Sequence, residues 1–130
     1  MNQRTALVVD DDRALLTLAT RILVVDGFEV VAAPSAEAAL AAVVAVPVLD
    51  LLFTDVVLPG DSGLELAAAL RLERPTLPVL VTTGQWEGEV REAIKRAGHH
   101  LIRKPYDAPS VRRAVHLAMA APDPGPVGVR

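Results

Sequence analysis

The sequence predicts an α/β domain built on one doubly wound, five-stranded parallel sheet, and three observations predict it. Five short apolar runs alternate strictly with five stretches of helical pattern. Only a few residues connect them, which calls for right-handed crossover helices covering both faces of the sheet. The first run, Thr5-Ala6-Leu7-Val8-Val9, is continuously apolar where an exposed strand would alternate, as suits a strand buried on both faces.

That first strand stops at Asp10-Asp11-Asp12. From Arg13 to Asp26 the apolar positions Leu15, Leu16, Ala19, Ile22 and Leu23 fall at helical spacing, and Gly27 supplies the stop. Phe28 to Ala33 reads as the second strand. Ser35 can cap a helix over Ala36 to Val46, closed by Pro47. Val48 to Thr54 is the third strand, with Asp50 out of pattern near its start. It ends on Asp55 and breaks at once into a Pro59-Gly60 turn. Ser62-Gly63-Leu64-Glu65 fits a capping box and opens a helix to about Glu73, ended by Arg74-Pro75. Pro78 to Thr83 is the fourth strand, Trp86 to Ala97 the fourth helix with Gly98 as its stop, and His100 to Arg103 a brief fifth strand. Asp107 to Ala120 is the last helix. Residues 1–121 thus make one domain, and the Pro/Gly-rich residues 122–130 are expected to be a flexible tail.

At 130 residues the chain is one domain's worth and should bury roughly two-thirds of its unfolded surface. Apolar residues make up 52% and aromatics only 3%, so the core must be built from Ala, Val and Leu. Net charge is −3 with both signs scattered, which speaks against a nucleic-acid groove or an acidic-lipid surface. The absence of cysteine excludes disulfides, thiolate metal sites and cysteine nucleophiles. Too few apolar residues precede Asp10 for a signal peptide. The longest uncharged apolar run, Ala38 to Leu49, carries Pro47 and reaches about half a membrane span. A cytoplasmic protein that meets neither membrane nor nucleic acid is expected.

Chemistry gathers where the strands end. Asp10-Asp11-Asp12 closes the first strand, Asp55 the third, Thr82-Thr83 the fourth and Arg103-Lys104-Pro105-Tyr106 the fifth. In a doubly wound sheet these ends share one edge, where ligands bind. Clustered carboxylates in a dehydrated crevice repel one another, and a hard dication such as Mg²⁺ relieves that repulsion. Lys brings a point charge suited to a phosphate oxygen, and a Thr hydroxyl can donate to another. Two or three carboxylates, a hydroxyl and an ammonium make a phosphoryl site in which a carboxylate can be the nucleophile. Singly, each residue has a bland reading: Asp11 or Asp12 as a helix cap, Thr83 as a strand-end hydroxyl, Lys104 as a solvated lysine. Their joint occurrence at four strand ends defeats it.

Val8-Val9-Asp10-Asp11-Asp12, then Asp55 with Pro59 and Gly63 after it, then Val81-Thr82-Thr83-Gly84, then Lys104-Pro105-Tyr106, resembles the receiver domain of two-component response regulators, in particular single-domain, CheY-like ones. The resemblance runs from Ala6 to about Ala120. It implies a flavodoxin-like sheet of order 2-1-3-4-5 flanked by five helices, a topology in which the ligand site lies at the β1/β3 switch point. It implies Asp55 as phosphoacceptor from a sensor histidine kinase, a histidine phosphotransfer protein or a small acyl phosphate. Asp11, Asp55 and the Val57 carbonyl would ligate Mg²⁺ (or Mn²⁺), with Asp10 acting through water. Lys104 and Thr83 would hold phosphoryl oxygens, Gly84 would leave room for Thr83 to move, and Pro105 would set the lysine loop through a cis peptide. Asp12 matches a variable third acid and a helix cap. Kinase specificity would lie in the first helix, and a downstream protein target on the last two helices and fifth strand.

Two departures bear on the switch. Leu101 stands where the family often has Tyr or Phe, so it has no ring to turn inward when Thr83 moves, and output would depend on the loop after Thr83 and the helix beyond it. Val57 and Gln85 occupy positions that help or hinder the hydrolytic water, and Val57 cannot hydrogen-bond it. Trp86 is placed to cover the sheet edge or contact a partner. His99-His100 has no third ligand at metal spacing and reads as a solvated turn.

The function expected is a stand-alone phosphorylation switch that alters protein binding. A phosphorelay shuttle or the receiver segment of a hybrid kinase is also compatible. A haloacid-dehalogenase-type Mg²⁺ phosphatase would use Asp10 as nucleophile, but it needs a later acidic pair, and only Asp107 and Asp123 follow Lys104. A phosphorylation-independent binding module would be marked by loss of Asp55, an acid or the lysine, and all are present.

Overall fold

The computed structural model describes residues 3–84 and 88–120. Strands β1 (Thr5–Val9), β2 (Glu29–Ala33), β3 (Leu51–Asp55), β4 (Val79–Thr83) and β5 (His100–Arg103) alternate with helices α1 (Arg13–Val25), α2 (Ala36–Val43), α3 (Gly63–Glu73), α4 (Glu89–Arg96) and α5 (Ala108–Ala120). All pairings are parallel and the order is β2-β1-β3-β4-β5, as expected. The chain therefore leaves β1 in one direction to β2 and returns past it to β3, which opens a crevice at the carboxyl ends of β1 and β3.

Successive strand residues point to opposite faces, so each apolar strand feeds two cores. Ala6, Val8, Leu51, Phe53 and Leu80 pack with α1 and α5. Leu7, Val9, Leu52, Val79 and Val81 pack beneath α2, α3 and Ile94 of α4. Every residue of β3 and β4 is buried, which explains the apolar runs Leu51-Leu52-Phe53 and Val79-Leu80-Val81 that open them.

Several boundaries differ from the pattern for local reasons. The second helix stops at Val43, three residues short of Val46, because Ala45 and Val46 donate to Ala42 and Val43 in tighter turns before Pro47. The third strand starts at Leu51, not Val48. The out-of-pattern Asp50 donates its N–H to the Thr5 carbonyl at 2.9 Å and accepts from the Thr5 N–H through Oδ2 at 2.8 Å. It thus locks the entry of β3 to that of β1. The strand runs through Asp55, which pairs with Thr82. Phe28 lies just before β2, buried beneath it. The capping box at Ser62 and Glu65 forms in full, and Asp107 caps α5, its Oδ1 accepting from the Ser110 N–H. The expected positions of Gln85, Trp86 and the tail lie outside the described residues.

Candidate functional site

Asp10 follows β1 directly and is 4% exposed. Its Oδ1 accepts from the Asp12 N–H at 2.9 Å, so the chain bends around it. Asp12 is the helix cap expected, its Oδ1 accepting from the N–H groups of Ala14 and Leu15. Asp11, between them, is exposed. Asp55 closes β3 at 7% exposure, and its Oδ1 accepts from the Val57 N–H at 3.3 Å. The turn after it folds back so closely that the Gly63 N–H donates to the Val56 carbonyl, and a Cβ at Gly63 would collide with the Asp55 carbonyl oxygen. Only glycine fits there.

Lys104 leaves β5 and reaches back across the edge. Its Nζ lies 2.9 Å from Asp55 Oδ2 and 3.4 Å from Asp10 Oδ2. Its backbone N–H donates to the Thr83 carbonyl at 3.0 Å, which ties the lysine to the end of β4, and the Lys104–Pro105 bond is cis, as expected. Asp10, Asp11 and Asp55 each offer an oxygen within 4.8 Å of the others, and they are the one such trio among the described residues. Acids from the ends of β1 and β3 and the ammonium from the end of β5 thus meet at one point, although 94 positions separate Asp10 from Lys104.

The electrostatics are those of a crowded site. Burial raises the Asp10 carboxyl above its ordinary value, opposed by the Asp12 N–H and Lys104 and reinforced by Asp55. Burial alone would lower the Lys104 ammonium, but Asp55 and Asp10 outweigh it and hold it above its ordinary value. One ammonium, in contact with Asp55 and Asp10, therefore stands against a trio of carboxylates. That hard-oxygen, net-negative donor set fits Mg²⁺ or a similar hard dication.

Thr83 is buried at the end of β4 and pairs with Arg103. Gly84 beside it has open space around it. Leu101 pairs with Val81 and packs, half-buried, on the α2–α4 core, while Pro105 is exposed. Val57 is 62% exposed. His99 is half-buried rather than solvated, a departure from expectation. Burial, then Arg71 and His100, lower it to about 4.

Two further residues lie against the acids without a role legible in the sequence. Thr82, buried, pairs with Asp55 on the same face, and Tyr106 lines a narrow crevice with Asp10, Asp55, Thr82 and Phe53. Burial and the charges of Asp10, Asp55 and Asp12 push the Tyr106 phenol up to about 12. The sequence names both only as members of the runs that close β4 and β5, and assigns neither a role.

A switch-point crevice holding three acids and one lysine defines an acidic phosphoryl- or metal-binding α/β domain. Residues 6–116 match the response regulator receiver domain, and the chain belongs to that family. It is 35% identical to the response regulator protein FleR of Pseudomonas aeruginosa over 95% of its length, and 34% identical to the DNA-binding transcriptional regulator NtrC of Azospirillum brasilense over 95%. It spans only about a quarter of those relatives, 27% and 26%. The photosynthetic apparatus regulatory protein RegA of Rhodobacter capsulatus is 32% identical, covering 96% of this chain and 68% of RegA. Among solved structures, a CheY-like receiver domain protein from Methanospirillum hungatei superposes with a TM-score of 0.82 at 28% identity, covering 91% of this chain and 94% of that one. Receiver domains of this family accept phosphoryl groups in two-component signalling. No described helix is long and apolar enough to cross a membrane.

Proposed function

We propose that Asp55 is the phosphoacceptor of this receiver and that phosphorylation changes its affinity for a protein partner. The observation that carries the reading is the 2.9 Å contact of Lys104 Nζ with Asp55 Oδ2 inside the acid trio. A carboxylate oxygen of Asp55 forms the new P–O bond as the P–N bond of a phosphohistidine, or the P–O bond of an acyl phosphate, breaks. Asp11, Asp55 and the Val57 carbonyl would hold Mg²⁺, with Asp10 through water. The ion's charge offsets that of the phosphoryl oxygens. The Lys104 ammonium turns to a phosphoryl oxygen as the charge on Asp55 is consumed, and the Thr83 hydroxyl binds another. Asp12 takes no part beyond its cap.

The donor is a histidine kinase or a histidine phosphotransfer protein, and the setting cytoplasmic. The partner is a protein docking on α4, β5 and α5, whose surface carries Arg91, Lys95, Arg96, Arg112 and Arg113 mixed with Glu89 and Glu92. Relatives such as NtrC are named DNA-binding regulators, but this chain, with a net charge of −3 over its 130 residues, is read as contacting protein rather than nucleic acid.

Intact-mass measurement after incubation with acetyl phosphate and Mg²⁺ tests the reading. One phosphoryl adduct on the native chain, absent in Asp55→Asn, is expected. No adduct on the native chain, or phosphate-ester turnover that survives Asp55→Asn but not Asp10→Asn, would overturn it.

A further inference from the structure

Lys104 is held to β4 by its own backbone, but nothing in that bond fixes its side chain. Two residues on, Tyr106 turns inward and sets its ring against Phe53, with centroids 5.9 Å apart and planes tilted by 50°. Phe53 is 2% exposed and lies two residues before Asp55, on the same face of β3. The Tyr106 ring also lines the crevice beneath Asp10, Asp55 and Thr82. Aromatic pairs in this tilted arrangement are cohesive beyond the area they bury. The loop that carries the lysine is thereby anchored to the strand that carries the aspartate.

Resting on the assignment of Asp55 and Lys104 above, we propose that Tyr106 is a positioning residue: its ring, seated on Phe53, holds the Lys104 ammonium against Asp55 and Asp10. The ring sets how strongly that ammonium competes with a metal ion for the carboxylates, and how well it meets an incoming phosphoryl oxygen. A loosened loop lets the ammonium swing into water. The carboxylates are then freer for a dication, while phosphoryl transfer loses its cation.

These two effects have opposite signs, which separates the role from a merely structural one. In Tyr106→Leu, Mg²⁺ affinity by calorimetry is expected to rise about twofold and the acetyl phosphate rate at saturating Mg²⁺ to fall about tenfold, as displacement of one nearby charge predicts. Lys104→Ala is expected to do both more strongly, and Tyr106→Leu placed on that background to change neither further. Tyr106→Phe keeps the ring and is expected to restore native behaviour. In the metal-free protein the Lys104 N–H, bonded to Thr83, should exchange with solvent faster in Tyr106→Leu than in the native chain. If Tyr106→Leu does not fold, Phe53→Leu approaches the same contact from β3 and must give the same pair of shifts. Mg²⁺ affinity falling together with rate, full additivity with Lys104→Ala, or failure of Tyr106→Phe to rescue would each overturn the proposal. A native chain that takes up no phosphoryl group while the Mg²⁺ shifts appear would instead overturn the phosphoacceptor assignment and leave the positioning role standing.

Discussion

Val57 is 62% exposed beside Asp55, and its side chain has no group with which to orient water. An acyl phosphate on Asp55 would then be hydrolysed at a rate set by access alone. An amide at this position could orient the attacking water, its oxygen accepting one of the water's protons. A hydrogen bond is worth about 1 kcal/mol, so Val57→Asn is expected to shorten the phosphoryl lifetime about fivefold, read by loss of the intact-mass adduct over time. An unchanged lifetime would mean that the side chain at this position does not govern the water's attack. The individual site residues are legible in the sequence because each interrupts an apolar run at a strand end: Asp10, Asp55, Thr83 and Lys104 all stand where the pattern breaks. Tyr106 is not, because an aromatic after a Lys-Pro pair breaks no pattern. Its meaning comes from Phe53, 53 positions away in sequence and adjacent only in the fold. His99 departs from expectation for a similar reason. A His-His pair after glycine looks solvated, yet the His99 N–H turns back to the Ile94 carbonyl at the end of α4, and the residue is half-buried within reach of the Arg71 charge.

Among the elements, α3 holds two others in place. Arg71, in its last turn, donates from Nε and Nη2 to the Leu77 carbonyl at 3.1 and 2.8 Å, and from Nη1 to the Ala97 carbonyl at 3.0 Å. It thus joins the entry of β4 to the exit of α4. His99 sits beside this clamp at about 4, against 6.5 in the unfolded chain. The unfolded chain therefore takes up the proton first. The stability that neutral His99 contributes is complete above pH 6.5 and is lost as pH falls from 6.5 toward 4. Urea midpoints measured across that window should fall more steeply for the native chain than for His99→Leu, and parallel curves would contradict this. At its other end, α3 begins against the strand that ends on Asp55. Gly63→Ala would force a methyl group onto the Asp55 backbone and should destabilise the fold by about 2–3 kcal/mol, seen as a lower urea midpoint. Strand and helix existence follows from the apolar periods, and so do most caps. Boundaries such as the start of β3 do not, since Asp50 acts through a partner, Thr5, that only the sheet brings near.

For the molecule as a whole, function is set against stability at one point. The fold buries Asp10 and Asp55 beside Asp11 with a single ammonium for relief, an arrangement that costs free energy without a bound cation. The two apolar cores on either face of the sheet supply the surplus that tolerates it. A ligand that binds only the folded chain returns that cost by mass action, about 2.7 kcal/mol at a concentration 100 times its Kd. Mg²⁺ should therefore raise the Tm of the native chain in proportion to the logarithm of its concentration. In Asp11→Asn, one exposed carboxylate leaves the trio without disturbing the Asp10 or Asp12 caps. Its metal-free Tm should rise by roughly 2 °C, as relief of repulsion at a functional site predicts, while its response to Mg²⁺ largely disappears. Scanning calorimetry of both chains with chelator and with excess Mg²⁺ distinguishes the outcomes. A variant that is no more stable without metal, yet still responds fully to Mg²⁺, would mean that the trio neither strains the fold nor binds the ion.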